Sequence, residues 1–283
     1  MTRSFAETVA AIRALEIQGA TRIARAGLEA IAREAEAGRT TAELHELCRE
    51  ICSARPNEPM LHNLVDAFID ASRAGVAPPG SIVTRFLARL DHEQSTLGGH
   101  LATRISSASV VATICHSSSV TGGMIAAYEG GTPLRAVVLE TRPRFQGRIT
   151  ARELAASGIP VTQYVDAEIP RALESADLVA LGADVLADGW FLNKVGSRML
   201  AEAAQARGLP VVVVAHTLKF DPARAERIEE RDPREVWADA PPGVEVRNPA
   251  FDRVPFDLVQ SLVTERGVVM AGALPTLTTT AWA

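Results

Sequence analysis

The sequence predicts an α/β protein: a helical N-terminal domain over residues 1–105, then a Rossmann-like domain with a mostly parallel sheet over 106–283. Three observations carry this. Apolar residues in the first hundred positions fall at helical spacing. From about Ser106, short β-branched runs alternate with amphipathic stretches, the grammar of βα units. The run Val211-Val212-Val213-Val214 fits a strand buried on both faces. With 283 residues, 47% hydrophobic and 22% charged, the chain can bury a sizeable core and is not a disordered polypeptide.

In order along the chain, Phe5, Val9, Ile12 and Ile17 mark a first helix, and Ile23, Leu28 and Ile31 a second. Gln18-Gly19-Ala20 breaks the pattern between them. Thr40-Thr41-Ala42-Glu43 has the form of a capping box that opens a third helix. Pro56 and Pro59 punctuate the next segment, and a fourth helix is expected over Met60–Arg73. Pro78-Pro79-Gly80 closes it, and a fifth starts near Ser81. Strands are expected at Ser109–Ile114, Ala136–Leu139, Val161–Tyr164, Leu178–Leu181 and Val211–Ala215. Helices are expected at Val120–Tyr128, Thr150–Ser157, Glu168–Leu173 and Asn193–Arg207. Pro222–Pro242, rich in charge and proline, reads as a surface excursion.

A net charge of −5 argues against general nucleic-acid binding, which needs a basic footprint. The 29 basic residues comprise 27 Arg and only Lys194 and Lys219. A GC-rich coding bias accounts for the skew, and the two lysines mark where a compact ammonium could be required. Three cysteines, Cys48, Cys52 and Cys115, are too few for a disulfide framework. Cys48 and Cys52, four apart on one helix with no second ligand pair, read as core. The N-terminus lacks a signal-peptide pattern, and no apolar run approaches the ~20 residues that span a bilayer. A soluble, cytoplasmic, membrane-free protein is expected.

In open α/β sheets, ligands bind beyond the carboxyl ends of the strands. Ser117, Ser118 and Ser119 follow the first strand and open a helix, an arrangement that can cradle an anion. Cys115 stands at the same mouth, where a helix dipole would depress a thiol pKa. Position alone leaves a reactive thiol and a buried cysteine above a serine cap equally open. His116 reads as structural. Arg142 and Gln146 lie in the polar cluster after the second strand, where Arg142 serves a phosphate, a carboxylate or a loop salt bridge. Asp184 follows the fourth strand, placed for acid or base work or for a turn. Asn193 and Lys194 open the next helix in this reading, and Lys219 lies beyond the fifth strand. The glycine-rich dinucleotide motif, the P-loop and the HExxH zinc motif are absent.

Taken in order, these residues resemble the family that groups ribose-1,5-bisphosphate isomerases, methylthioribose-1-phosphate isomerases and the regulatory alpha, beta and delta subunits of translation initiation factor 2B. The resemblance runs nearly end to end. It includes Ile17-Gln18-Gly19-Ala20, Ala54-Arg55-Pro56, Cys115, Glu140-Thr141-Arg142-Pro143 with Gln146-Gly147, Gly182-Ala183-Asp184 and Asn193-Lys194. It continues through Lys219-Phe220-Asp221-Pro222, Arg247-Asn248-Pro249 with Phe251-Asp252, and Thr264-Glu265-Arg266-Gly267.

The resemblance implies a sugar-phosphate aldose–ketose isomerase with no metal or organic cofactor. It implies Cys115 and Asp184 as the catalytic pair. It implies ligand contacts at Gly19, Ala20, Arg55, Ser117 to Ser119, Gln146, Asn193, Lys194 and Lys219. It also implies a phosphorylated pentose substrate and a homodimer or higher homo-oligomer. The short N-terminus and the Lys-Phe-Asp-Pro sequence favour the ribose-1,5-bisphosphate branch. A non-catalytic sugar-phosphate or nucleotide-binding regulatory subunit and the methylthioribose enzyme are the alternatives. Three departures bear on the substrate: Gln18 stands where the isomerases carry arginine, Asn57-Glu58-Pro59 where they carry threonine, alanine and valine, and His116 with three serines follows the cysteine.

Overall fold

The computed structural model describes residues 3–75, 77–105, 109–221 and 228–270. The expected domain junction at Ser106 and the first residues of the charged excursion, 222–227, lie outside the described residues.

Five helices come first: α1 (Phe5–Arg13), α2 (Ala20–Glu36), α3 (Thr41–Ala54), α4 (Pro59–Arg73) and α5 (Pro79–Ala102). The capping box at Thr40 forms, with Glu43 as its N3 partner, and Ser4 and Glu7 build a second one on α1. Each cap is worth roughly 1 kcal/mol. The apolar stripe of α2, Ile23, Leu28 and Ile31, packs with Ile51, Leu61 and Phe68 in a core to which α5 adds Ile82, Phe86 and Leu90. Cys48 is fully buried in this core and Cys52 packs against it, as expected.

The rest alternates strand and helix: β1 (Ser109–Thr113), α6 (Ser118–Glu129), β2 (Leu134–Leu139), α7 (Gly147–Ala156), β3 (Val161–Tyr164), α8 (Ile169–Ala172) and β4 (Leu178–Gly182). Then come β5 (Val185–Ala187), β6 (Trp190–Lys194), α9 (Ser197–Ala206), β7 (Val211–Val214), β8 (Phe251–Pro255), β9 (Ser261–Thr264) and β10 (Gly267–Met270). The main sheet has the order β10-β9-β7-β4-β1-β2-β3, parallel except for the β9–β10 hairpin at one edge. Side chains alternate between its two faces. Ala112, Val137, Val179 and Val213 meet Leu200 and Ala204 of α9 on one side. Val111, Val138, Ala180 and Val212 meet Leu97, Val120 and Met124 on the other. All four valines of β7 are buried, as their unbroken run predicts.

Three features differ from the sequence expectation. Strands β9 and β10, which carry the main sheet beyond β7, are not among the predicted strands. Val185–Ala187, Trp190–Lys194 and Phe251–Pro255 form a separate antiparallel sheet, β5-β6-β8, whose short strands carry no readable period. Asn193 and Lys194 therefore end strand β6 and do not open a helix. The helix starts three residues later, after Gly196, whose φ of 97° requires the left-handed conformation that glycine adopts freely. Asp252 accepts from the free N–H groups of Gly196 (2.7 Å) and Arg198 (3.1 Å) at that start.

Helix α5 runs across both layers. Its first half fills the helical core, and Leu97 and Leu101 cover the sheet. Between these halves Glu93 reaches the strand edge. His216 Nδ1 accepts from the Leu218 N–H at 3.0 Å, so Nε2 carries the proton and donates to Glu93 Oε2 at 2.8 Å. Arg89 Nε donates to the other Glu93 oxygen at 2.8 Å. Buried Glu265, just past β9, accepts from the Thr217 N–H (3.0 Å) and, by a short bond, from the Thr217 hydroxyl. Although Glu93, His216 and Glu265 stand close enough together to hold a metal ion, both ring nitrogens are already committed, one as acceptor and one as donor. The cluster thus anchors the short 3-10 turn Thr217–Lys219.

Candidate active site

The carboxyl ends of β1, β2, β4 and β7 point toward the start of α2 and the loop before α4, and two adjoining hollows lie there. Cys115, His116 and Asp184 line both, with Gln18 and Gly19 from the helical layer opposite.

Cys115 follows β1 with a φ of 69°, and Thr141 follows β2 with a φ of 65°. Both are left-handed conformations that cost a non-glycine residue of the order of 1–2 kcal/mol. A mutual lock holds them. The Cys115 N–H donates to Thr141 Oγ1 at 2.8 Å, the Thr150 hydroxyl donates to the Cys115 carbonyl at 2.8 Å, and Asp166 accepts from the Thr141 N–H at 2.8 Å. The Thr150 proton is thereby spent, so His116 Nδ1 must be the donor in its 3.2 Å contact with Thr150 Oγ1. His116 Nε2 is buried, lacks a hydrogen-bond partner among the described residues and lies 3.7 Å from Glu153. The sequence reading treats His116 as structural; the fold makes it part of the site wall.

Burial dominates the electrostatics. It pushes the Cys115 thiol up to about 11, with Lys194 the largest opposing influence. The expected depression by the α6 dipole is overturned, because the desolvation penalty on a thiolate exceeds what a helix terminus and one ammonium return. Burial also raises Asp184, opposed by Lys219, Lys194 and Arg55. It raises Glu58 to about 8, helped by the charge of Asp184. Lys219 is lowered by burial, against the pull of Asp184 and Glu58, and its Nζ donates to the Ala183 carbonyl at 2.6 Å. Lys194 lies 5.2 Å from the centre of the Phe251 ring.

Gly19, Ala20, Ser117, Ser118, Asn193 and Lys219 border one hollow. Two helix starts, α2 at Ala20 and α6 at Ser118, meet there, an anion-binding arrangement. Arg55, Gln146 and Lys194 border the other. Gln146 reaches it because Gly147 packs where a Cβ would lie 1.8 Å from the Leu139 carbonyl oxygen. Two expected residues stand elsewhere. Ser119 is buried behind the helix start and accepts from Gln94 Nε2 at 3.1 Å. Arg142 is exposed, donates to the Val236 carbonyl at 3.3 Å and covers the Phe145 ring, since the chain turns its side chain outward after Thr141.

Sequence reasoning passed over Glu229 and Arg231, and noted Glu58 only as a departure from the isomerase pattern. Glu58 is buried at the N-cap of α4. Glu229 and Arg231 belong to the stretch read as a surface excursion, yet Glu229 takes both terminal nitrogens of Arg55 at 3.2 and 3.0 Å, and Arg231 lines the second hollow. Their folding back depends on a bridge between Glu230 and Pro249, a long-range pairing with no local signature.

Among proteins of known name, the ribose 1,5-bisphosphate isomerase of Haloterrigena turkmenica is 39% identical over 90% of this chain and 87% of its own. The methylthioribose-1-phosphate isomerase of Exiguobacterium sibiricum is 33% identical over 93% and 85%. Among solved structures, the Pyrococcus horikoshii OT3 translation initiation factor eIF-2B superposes with a TM-score of 0.82 at 27% identity, covering 94% of this chain and 96% of that one. The model of the initiation factor 2 subunit family matches residues 16–271, and the chain belongs to that family.

Proposed function

We propose that the protein is an aldose–ketose isomerase of sugar 1-phosphates, acting on ribose 1,5-bisphosphate to give ribulose 1,5-bisphosphate. The observation that carries this reading is the meeting of Cys115 and Asp184 at one buried hollow, between two helix starts and beside Lys194 and Lys219. The name and high identity of the Haloterrigena turkmenica relative favour this substrate.

The chemical difficulty is that a 1-phosphate blocks the free aldehyde. Asp184, held protonated by burial, donates to the ring oxygen as the C1–ring oxygen bond breaks, leaving an oxocarbenium ion at C1. Hydrogen then moves from C2 to C1. In one route the minor thiolate form of Cys115, disfavoured by burial and favoured by Lys194 after its proton has left to solvent, takes the C2 proton, an enol phosphate forms, and the resulting thiol returns the proton to C1. In the other, hydride migrates directly and the Cys115 thiol packs against the cationic centre. In both, the C2 hydroxyl proton passes to Asp184, which restores the acid and leaves the ketone. Isomerisation in deuterium oxide separates the routes, since only proton transfer through a thiol exchanges solvent deuterium into C1.

The decisive experiment is an NMR assay of the purified protein against ribose 1,5-bisphosphate, ribose 1-phosphate and methylthioribose 1-phosphate. Turnover of the bisphosphate is expected. Binding of it without turnover overturns the enzyme reading in favour of a regulatory subunit. Assembly into a homodimer or larger homo-oligomer, implied by the family resemblance, belongs to the same reading and is measured by light scattering.

A further inference from the structure

Glu58 is 5% exposed and lies at the N-cap of α4, but its side chain makes no cap hydrogen bond to the helix. Glutamate is a poor cap, so local helix geometry does not explain its presence. Among the described residues its Oε1 atom is buried with no hydrogen-bond partner, and the residue lines the second hollow with Arg55, Gln146, Asp184 and Arg231. Leaving a carboxyl oxygen buried and unpartnered costs about 1–3 kcal/mol, more if it is charged. Such a cost points to a partner that arrives from outside.

Two of the nearby cations are already engaged. Arg55 is paired to Glu229 through both terminal nitrogens, and Lys219 donates to the Ala183 carbonyl. Among the described residues, Arg231 Nη2 and Arg55 Nε are buried donors without hydrogen-bond partners. The wall thus offers donors suited to a phosphate from the arginines and an acceptor from Glu58. The Gln146 amide can turn either end inward, so the acceptor constraint comes from Glu58. A phosphate dianion against Glu58 and Asp184 would meet two acids. A sugar hydroxyl both donates and accepts, and satisfies the Glu58 carboxyl in either protonation state.

We propose that Glu58 is a specificity-determining residue whose carboxyl takes a hydrogen bond from a ring hydroxyl, at C2 or C3, of the bound sugar phosphate. The inference rests on the sugar-phosphate reading above and adds the end of the pocket at which the hydroxyls sit. It makes the protein selective for a polyhydroxylated 1-phosphate over a deoxy sugar, and it requires the phosphate groups to lie away from Glu58.

The test is calorimetric binding of ribose 1-phosphate, 2-deoxyribose 1-phosphate and 3-deoxyribose 1-phosphate to the full chain and to Glu58→Gln and Glu58→Ala, each checked for folding by thermal melting. The native protein should bind ribose 1-phosphate at least about 30-fold more tightly than one deoxy analogue. That preference should fall below about 3-fold in Glu58→Ala and stay intermediate in Glu58→Gln, whose amide oxygen still accepts. A preference unchanged in Glu58→Ala overturns the proposal. So does tighter binding of ribose 1,5-bisphosphate by Glu58→Gln, by about 10-fold, with hydroxyl selectivity intact: Glu58 would then face a phosphate. Binding without turnover ends the isomerase reading but leaves this test standing. No binding of any sugar phosphate ends both.

Discussion

Two buried ionisable clusters flank the turn Thr217–Lys219, and they are built in opposite ways. On one side, the Glu93, His216 and Glu265 side chains find partners within the chain, by bonds of 2.8 Å to His216 Nε2 and 3.0 Å to the Thr217 N–H. On the other, Glu58, Asp184, Lys219 and Arg55 are brought together with buried atoms left unpartnered, Glu58 Oε1 and Arg55 Nε among them. A satisfied cluster holds a fold; an unsatisfied one waits for a ligand. The titration behaviour follows. Burial works against ionisation of Glu93, yet hydrogen bonds from His216 and Arg89 bring it below the usual carboxylate range. For Glu58 no such bonds exist, and burial prevails.

Changes on the two sides should therefore separate activity from stability. The largest effect is expected in the pocket: Cys115→Ser and Asp184→Asn should each lower kcat about 10²–10⁴-fold in the NMR assay, with melting temperatures within about 2 °C of native. On the opposite side, His216→Ala removes one partner of Glu93, which keeps Arg89, and the acceptor of the Leu218 N–H. A loss of about 3 kcal/mol, or roughly 5 °C in melting temperature, is expected by calorimetry. An unchanged melting temperature would sink the contrast. Lys219→Ala should weaken sugar-phosphate binding about 10–100-fold, whereas Arg49→Ala, at an exposed arginine, should change it less than about 2-fold.

A smaller effect concerns pH. The folded-state pKa of Glu58, about 8, lies above the ordinary value of 4.5. Its contribution to stability is thus full below about pH 4.5 and is lost as pH rises through about 8, because the unfolded chain ionises first. Glu58→Gln removes this loss. Its melting temperature should gain on the native protein by about 3–8 °C between pH 5.5 and pH 8.5. The smallest effect belongs to Arg142→Ala, whose KM should stay within about 2-fold of native because the side chain points away from the hollow.

The strands β1, β2, β4 and β7 were legible because each is a short, mostly buried apolar run between helical stretches, and the half-exposed Val161–Tyr164 coincides with its prediction, whereas the edge hairpin β9–β10 was not foreseen. Nor was the small sheet. Val185–Ala187 is three residues long and Trp190–Lys194 mixes aromatic, aliphatic and polar positions, so neither shows a period. Asn193 misled because asparagine is a good cap, while the actual cap is a left-handed glycine further on. At the site, most residues expected from the strand ends and the family resemblance gather in the hollows, because parallel topology delivers strand ends to one edge. Glu229 and Arg231 escaped because they arrive by tertiary folding of an otherwise polar stretch; Glu58 was visible as a departure from the family pattern, but its position at a helix start conceals where its carboxyl goes.

The two lysines of the sequence both end in the hollows, and helix α5, whose Glu93 holds the start of the turn that carries Lys219, has a thermodynamic consequence. Because α5 supplies Leu90 to one core and Leu97 to the other within a single unbroken helix, neither core can melt without exposing apolar surface of the other. The two layers are expected to lose structure in one cooperative transition. The amides at the centre of α5 should be among the last to exchange with solvent, setting the time for which the pocket exists as a pocket.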